Sequence, residues 1–293
     1  MRGIFFLLLL CWSWMSLAAA SEPEAVRVEG VLKPGGWAVV TAPAGSKLHY
    51  GGHVVKFDRL GQLPVGFARD SHSPAQLVVN LPNGGKVVRQ ITLAPRHYDI
   101  QRINGLKKKY VSPDPKTLAK IRADIAAARA ARKRFLRQVA GWRERPFLWP
   151  VGGIVTGVYG SQRILNGKPR RPHFGVDIAA PRGTAVHAPA DGVVTLAQKM
   201  VLSGNTLMID HGYGLRSTFM HLSRLFVKPG ERVRRGEKVA EVGATGRATG
   251  PHLHWGMSWF STRLDPTTFV GVAVHKGDRV RALTSTVERP AGK

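Results

Sequence analysis

Cysteine is nearly absent from this chain of 293 residues, and its one cysteine, Cys11, stands within the first twenty. Those twenty residues, MRGIFFLLLLCWSWMSLAAA, contain Arg2, an apolar run and small residues at the end. This pattern is typical of a secretory signal peptide and predicts cleavage after Ala20. The chain that remains has no cysteine, which excludes disulfide bonds and thiol chemistry.

Long hydrophobic runs are also lacking. The apolar run in the first segment is short for a membrane span, which needs about 20 residues, and no basic stop follows it. We therefore expect an exported protein that is periplasmic and associated with the cell envelope, and not an integral membrane protein.

Acidic residues are few, since 18 Asp and Glu stand against 44 Lys and Arg, for a formal net charge of +26. Such an excess attracts polyanions. Nucleic acid would be the first candidate for a cytoplasmic protein, but an exported protein meets envelope polymers such as peptidoglycan, whose peptides carry carboxylates. We therefore expect peptidoglycan and no nucleic acid as partner. The alternative is that the charge serves solubility alone.

Short β-type runs separated by PGG, PAG and PNGG extend from residue 26 to residue 93: VRVEGVL, GGWAVVTA, KLHYG, HVVKF, QLVVN and KVVRQITL. Such a series predicts a small all-β sandwich or barrel, of which we expect the sandwich. Its histidines, His49, His53 and His72, have no partners at metal-binding spacing, so we expect them to be structural.

After the sequence SPDP, apolar residues recur at helical spacing and basic residues occupy most of the other positions. The pattern predicts a helix that begins near residues 112–114 and ends at Gly141. Its expected apolar side consists of Leu118, Ile121, Ile125, Ala128, Phe135 and Val139.

The β-rich pattern resumes near residue 145, and the fold class predicted for the whole chain is mainly β, with antiparallel sheet. The predicted organisation is a signal peptide at 1–20, a β-sandwich accessory domain at 21–105, a basic helical connector at 106–144, a second β domain at 145–272 and a basic C-terminal tail at 273–293.

The second β domain contains two short histidine motifs, HFGVD with His173 and Asp177, and GPHLHW with His252 and His254. Alternate residues of a strand share one face, so the last two imidazoles should lie side by side. Imidazole and carboxylate are good zinc ligands, and catalytic zinc sites typically combine three protein ligands with a water. His221, in FMHLS, adds a further polar group. Together these residues predict a metal site.

At these motifs, residues 157–269 resemble the lysostaphin-type zinc endopeptidases, the LytM-domain proteins, which cleave peptide cross-links of bacterial peptidoglycan. The resemblance rests on H-x-x-x-D, on H-x-H, and on the stretches GVDIAAPRGTAVHAPADGVV, YGLRSTFMHLS and VKPGERVRRGEKVAEVGATGRATGPHLHWGM. The segment GSQRILNGKPRRPH is similar to that of the Gram-negative members, and the first β domain is similar to an accessory domain that some of them carry.

The resemblance implies that residues 145–272 form a zinc endopeptidase domain that hydrolyses peptide cross-links of peptidoglycan during cell-wall remodelling. It assigns one zinc ion to His173, Asp177 and His254, and leaves His221 and His252 for proton transfer or oxyanion stabilisation. Which of these two is the general base stays open. The chain has no H-E-x-x-H motif, so a glutamate base is not expected. A regulatory or activator protein is a further expected partner.

Two alternatives come from other functional classes. A non-catalytic peptidoglycan-binding protein, or an activator of other wall hydrolases, would use the basic surface but leaves the five-residue constellation unexplained. Family members that act only as activators have lost zinc ligands, whereas this chain keeps them. The stretch VKPGERVRRGEKVAEVGATG also resembles half of a biotinyl or lipoyl carrier barrel, but no lysine stands in an M-K-M or D-K-A setting.

Overall fold

The structure is a computed structural model that describes residues 25–103, 115–165, 168–283 and 287–288. The expected signal peptide, residues 1–20, lies outside the described residues. Within the described parts of the chain, each helix is too short or too polar to cross a membrane.

The N-terminal part folds as a small β-sandwich of two antiparallel sheets, ordered β1-β2-β5 and β4-β3-β6-β7. The strands are β1 (Arg27–Gly30), β2 (Trp37–Thr41), β3 (Lys47–Tyr50), β4 (His53–Lys56), β5 (Gln62–Gly66), β6 (Ala75–Asn80) and β7 (Lys86–Ile91). Sequence patterning missed β5 because it contains Pro64, which has no backbone N–H to donate. The strand forms nevertheless, since β5 lies at the edge of its sheet, where proline is tolerated.

The remaining strands are β8 (Ile100–Ile103), β9 (Gly153–Gly157), β10 (Gln162–Leu165), β11 (Lys168–Pro169), β12 (Val176–Ala179), β13 (Ala185–His187), β14 (Gly192–Met200), β15 (Gly204–Gly212), β16 (Leu215–Leu222), β17 (Arg224–Leu225), β18 (Arg232–Val233), β19 (Lys238–Glu241), β20 (His252–Trp259), β21 (Thr262–Leu264), β22 (Arg279–Val280) and β23 (Val287–Glu288). The helices are α1 (Pro115–Lys133), a 3-10 turn (Gly141–Arg143) and α2 (Thr267–Val270).

A large antiparallel sheet dominates the C-terminal part, with the order β18-β14-β15-β16-β20-β12-β9-β22-β23 and with β21 paired to β20. Two small sheets, β13-β19-β17 and β11-β10-β8, accompany it. Strand β22 lies in the C-terminal segment, for which the sequence predicts a last strand, and it pairs with β9 and extends the large sheet. The fold is therefore mainly β and antiparallel, as the sequence predicts.

Helix α1 ends at Lys133 and not at Gly141, so the predicted C-terminal boundary was wrong. Tertiary contacts override the local pattern there, because the buried Arg216 donates from Nη2 to the carbonyl of Arg134. Phe135 then packs against Tyr213 and Phe260, with ring centroids 5.8 and 5.5 Å away. The predicted start near residues 112–114 lies outside the described residues.

The face of α1 that packs on the sheet also differs from the predicted one. Leu118 and Ile125 are exposed, at 37% and 55% of their surface. Ala128 of the predicted side does pack on the sheet, but its neighbours there are the small residues Ala127 and Ala131, which with it contact Leu196, Met200 and Met208. The alanines allow close approach of the helix to the sheet, which the apolar periodicity alone did not reveal.

The sandwich and the large sheet share one continuous cluster of buried hydrophobic residues. Trp37 stacks on Phe269 with ring centroids 4.6 Å apart, and Arg96 Nη2 lies 2.5 Å from Asp265 Oδ2. Gly66 lies so close to Leu264 that a side-chain carbon at position 66 would be 2.7 Å from its Cδ2. The sandwich is thus packed directly against the sheet that holds the histidine motifs.

Candidate metal centre

Two neighbouring strands of the large sheet bring the histidine motifs together. Asp177 of β12 lies directly opposite His254 of β20. Within β20, His252 and His254 point to one face, while Leu253 between them is fully buried on the other. The pairing of β12 with β20 therefore places the carboxylate beside the second histidine of the H-x-H motif.

His173 completes a compact group of three ligand-type side chains. Its Nε2 lies 3.0 Å from Asp177 Oδ1 and 3.1 Å from His254 Nδ1, and His254 Nδ1 lies 2.8 Å from the same oxygen. In the part of the chain that the structure describes, this is the one group of three metal-binding side chains with donor atoms within 4.8 Å of one another. Two imidazole nitrogens and one carboxylate oxygen form a donor set suited to a divalent metal such as zinc.

A backbone carbonyl fixes the orientation of His173. Its Nδ1 lies 2.9 Å from the carbonyl oxygen of Val158, which can only accept a hydrogen bond. In the neutral ring Nδ1 therefore carries the proton and Nε2 has a lone pair available to a metal, whereas the protonated ring donates from Nε2 to Asp177. Metal-binding histidines commonly hold their second ring nitrogen in this way.

Two glycines have no side chain where one would collide with the ligand-type side chains. A side-chain carbon at Gly175 would lie 2.7 Å from both Nε2 and Cε1 of His254. One at Gly157 would lie 2.6 Å from Asp177 Oδ2. The glycines of the motifs therefore permit the close approach of backbone to ligand.

His221 and His252 lie together beside this group. Their ring centroids are 4.7 Å apart, and the centroid of His221 is 6.4 Å from that of His254. Nδ1 of His221 donates to the carbonyl of Thr245 at 2.8 Å, and Nδ1 of His252 donates to that of Gly250 at 2.9 Å. In the neutral form, both rings therefore have a lone pair at Nε2, where a proton can be accepted.

The backbone of His221 has an unusual conformation, with φ at +64° in the left-handed region. A non-glycine residue adopts this conformation rarely, and such strain concentrates at functional sites. The irregular pairing of β15 with β16 next to His221 accompanies it. The imidazole of this strained residue lies beside that of His252.

Burial and the Asp177 carboxylate shift the pKa values of the neighbouring histidines in opposite directions. Burial raises the pKa of Asp177, but the hydrogen bonds from His173 and His254 outweigh it and hold this pKa far below its usual range. Burial lowers the pKa of His173, yet Asp177 and the Val158 carbonyl more than offset it, so the net pKa is raised. Burial prevails at His254 and at His221, whose pKa values are both lowered.

Sequence reasoning missed the backbone groups that orient the imidazoles, namely the carbonyls of Val158, Thr245 and Gly250. Carbonyls are present at every residue, so no side-chain motif reveals which of them a ring will contact. The histidines expected to be structural lie apart from the site. His49 contacts Asn80 at 3.1 Å, and His53 stacks on Phe260 with centroids 3.9 Å apart.

Comparison with known proteins agrees with this geometry. Residues 171–266 match Peptidase family M23. The Vibrio cholerae protein named peptidoglycan DD-endopeptidase ShyB is 36% identical over 145 residues, which are 46% of this chain and 33% of that protein. The Neisseria meningitidis DD-carboxypeptidase/endopeptidase Mpg is 48% identical over 85 residues, 29% of this chain and 20% of that protein. The matches thus span a third or less of the length of these curated relatives.

A solved structure extends the similarity to most of the chain. The crystal structure of a Pseudomonas aeruginosa protein assigned to peptidase M23 is 32% identical in sequence and superposes with a TM-score of 0.64. The match covers 82% of this chain and 95% of that one, so it includes the β-sandwich as well as the large sheet. The resemblance to LytM-type proteins that the motifs indicated is confirmed, and the chain belongs to peptidase family M23.

Proposed function

We propose that the protein is a zinc-dependent metalloendopeptidase that hydrolyses peptide cross-links of peptidoglycan during cell-wall remodelling. One observation carries the proposal: the donor atoms of His173, Asp177 and His254 converge beside two further imidazoles with fixed Nδ1 protons. The names of the curated relatives, three of which are peptidoglycan DD-endopeptidases of Vibrio cholerae, support peptidoglycan as substrate and a D,D-cross-link as the bond cleaved.

The donor set fits zinc, since catalytic zinc sites typically combine three nitrogen or oxygen ligands of the protein with a fourth position for water. We assign one ion to His173, Asp177 and His254. When bound, zinc polarises a carbonyl oxygen and lowers the pKa of water toward neutrality.

We assign proton transfer to His221 and His252. Each has its Nδ1–H engaged by a carbonyl, so each offers Nε2 as the atom that accepts the proton of the attacking water. A protonated Nε2 can then donate to the departing amine or to the oxyanion. The two ring centroids are 4.7 Å apart, which is close enough for both histidines to act in the same reaction. One serves as base while the other stabilises charge.

The wider organisation is part of the same proposal. Residues 145–272 form the catalytic domain, residues 21–105 an accessory domain, residues 106–144 a connector and residues 273–293 a tail that contributes β22 to the sheet. Residues 1–20 direct export to the periplasm, where the basic chain meets anionic peptidoglycan. A regulatory or activator protein is a further proposed partner.

The test is release of soluble muropeptides from purified peptidoglycan by the zinc-loaded protein. His221→Ala and His252→Ala should each lower the rate about 10²- to 10⁴-fold while retaining one zinc per chain. His254→Ala should lose both zinc and activity. His49→Ala, in strand β3 of the sandwich, is the matched control and should behave as wild type.

The fragment masses identify the bond that is cut. A wild-type protein that binds peptidoglycan but releases no fragments, with or without zinc, would overturn the proposal in favour of a non-catalytic binding protein. Equal activity of His254→Ala and wild type would equally contradict it.

A further inference from the structure

A cleft of about 510 Å³ lies beside the candidate metal centre and takes no part in the mechanism described so far. It is formed at the adjoining ends of β9, β12 and β22, where its lining includes Gly153, Ile154, Ala179, Pro181 and Arg279. Its volume is within the range of about 300–1,000 Å³ that is typical of ligand pockets.

The register of the sheet connects this cleft to His252. Ala179 of β12 lies opposite His252 of β20, Ile154 of β9 lies opposite Ala179, and Arg279 of β22 lies opposite Ile154. Residues that are directly opposite each other project to the same face. His252, Ala179, Ile154 and Arg279 therefore form one row across four strands, on the face that holds the metal centre.

The other face of the same strands is filled by the protein core. Val155, Ile178 and Val280 each have no more than 1% of their surface exposed. Ile154 and Ala179 are half-buried, and Arg279 is exposed. The cleft lies where these strands end and has lining residues from both faces, and three of them, Ala179, Ile154 and Arg279, continue the row from His252 on the catalytic face.

The lining of the cleft combines small or apolar residues with arginine. Gly153 and Ala179 are among the small residues, which leave room for a chain with small side chains. Arg279 and Arg281 are the charged residues of the lining, and no acidic residue is among the described residues that line the cleft. The neighbouring Asp278 is buried and accepts a hydrogen bond from the backbone of His275 at 2.8 Å.

We propose that this cleft is a substrate subsite of the endopeptidase, in which Arg279 binds the free carboxylate of a peptidoglycan stem peptide. The inference rests on the proposed function and specifies how the substrate lies. Adjacent strands are about 4.8 Å apart, so the backbone of Arg279 is about 14 Å from that of His252. An extended peptide spans that distance in about four residues. Because the arginine side chain itself reaches part of the way, the bound carboxylate should be two or three residues from the bond that is cleaved.

The experiment compares two synthetic cross-linked stem-peptide dimers that differ only in a terminal carboxylate or carboxamide. Zinc-loaded wild type should cleave the carboxylate dimer with a KM about five- to tenfold lower, since a hydrogen-bonded ion pair at an exposed site is worth about that factor. Arg279→Gln should raise the KM of the carboxylate dimer to that of the carboxamide and leave kcat unchanged.

The matched control is Arg232→Gln, because β18 has the same Arg-Val sequence and exposed arginine at the opposite edge of the sheet. This variant should keep the wild-type preference. Binding of a labelled, uncross-linked stem peptide to the zinc-loaded protein, measured by fluorescence anisotropy, gives a readout independent of cleavage. Arg279→Gln should weaken this binding by a similar factor.

The outcomes separate this inference from the proposed function. If the wild type cleaves both dimers equally well, or if Arg279→Gln keeps the preference for the carboxylate dimer, the proposed subsite is wrong. The proposed endopeptidase function is unaffected by either result. Absence of cleavage together with carboxylate-dependent peptide binding that is lost in Arg279→Gln supports the cleft and refutes the endopeptidase.

Discussion

Asp177 and His254 lie directly opposite each other in the β12–β20 pair, with the carboxylate Oδ1 2.8 Å from the imidazole Nδ1. Two of the three proposed zinc ligands are therefore positioned by the backbone hydrogen bonds of a sheet and not by a loop. Ligands on rigid elements need little reorganisation when a metal binds.

Substitution Asp177→Asn tests the carboxylate in this pair. The amide keeps the shape of the side chain but removes its charge, so we expect zinc affinity to fall at least about a hundredfold, beyond the effect typical of groups that only orient a ligand. Competition with a chromophoric chelator measures the affinity. Asp278→Asn, at a buried carboxylate that immediately precedes β22, is the control, and wild-type zinc binding by Asp177→Asn would contradict the assignment.

Substitution Gly175→Ala tests the space around His254. The added methyl carbon would lie 2.7 Å from the imidazole and 2.6 Å from the carbonyl oxygen of Trp255, so the ring must move. We expect about a tenfold loss of zinc affinity and a destabilisation of about 1–3 kcal/mol. Gly250→Ala, where the added carbon meets nothing within 4 Å, should bind zinc normally. Equal affinity of the two variants would refute the steric argument.

The Asp210–Arg216 ion pair predicts a stability effect away from the metal centre. Both side chains are fully buried, and Arg216 Nη2 lies 2.8 Å from Asp210 Oδ2. Arg216→Met leaves the carboxylate without its partner and should cost about 3–5 kcal/mol of unfolding free energy in urea denaturation. The double variant Asp210→Leu with Arg216→Met should cost less than Arg216→Met alone. A larger loss in the double variant would show that packing, not an unpaired charge, dominates.

His211 predicts a dependence of stability on pH. Its ring is fully buried, with Nδ1 donating to the carbonyl of Asp191 at 2.7 Å and Nε2 2.8 Å from the hydroxyl of Ser217. Burial lowers its pKa to about 4. Between that value and about 6.5 the unfolded chain binds the extra proton, so stability is full above 6.5 and is lost as the pH falls toward 4.

The size of this loss is at most about 3 kcal/mol by linkage. The unfolding free energies of wild type and of His211→Gln are measured between pH 7.5 and pH 4.5. Their difference gives the contribution of His211, because the other titrating groups are common to both proteins. The wild type should lose more stability than the variant over this range. Parallel pH profiles would show that His211 titrates as an unburied histidine.

The side-by-side placement of His252 and His254 could be predicted because the alternation of a strand follows from its side-chain pattern, and the ligand set followed from the resemblance of the motifs. His252 and His254 lie on one face for that reason, and the mainly β fold follows from the same alternation. The end of α1 could not be predicted, since the contact of Arg216 with the backbone of Arg134 joins residues distant in sequence. The alignment of Arg279 with His252 was equally hidden, because it depends on the pairing of β22 with β9.

The continuous buried cluster that joins the sandwich to the large sheet also governs how the protein can be divided. Removal of the sandwich would expose Trp259, Leu264 and Phe269 to water, which costs about 25 cal/mol for each Å² of apolar surface. The two parts should consequently unfold in one cooperative transition. A truncated chain that begins at β9 would aggregate through this uncovered surface, so loss of activity on truncation would report on folding and not on substrate recognition by the sandwich.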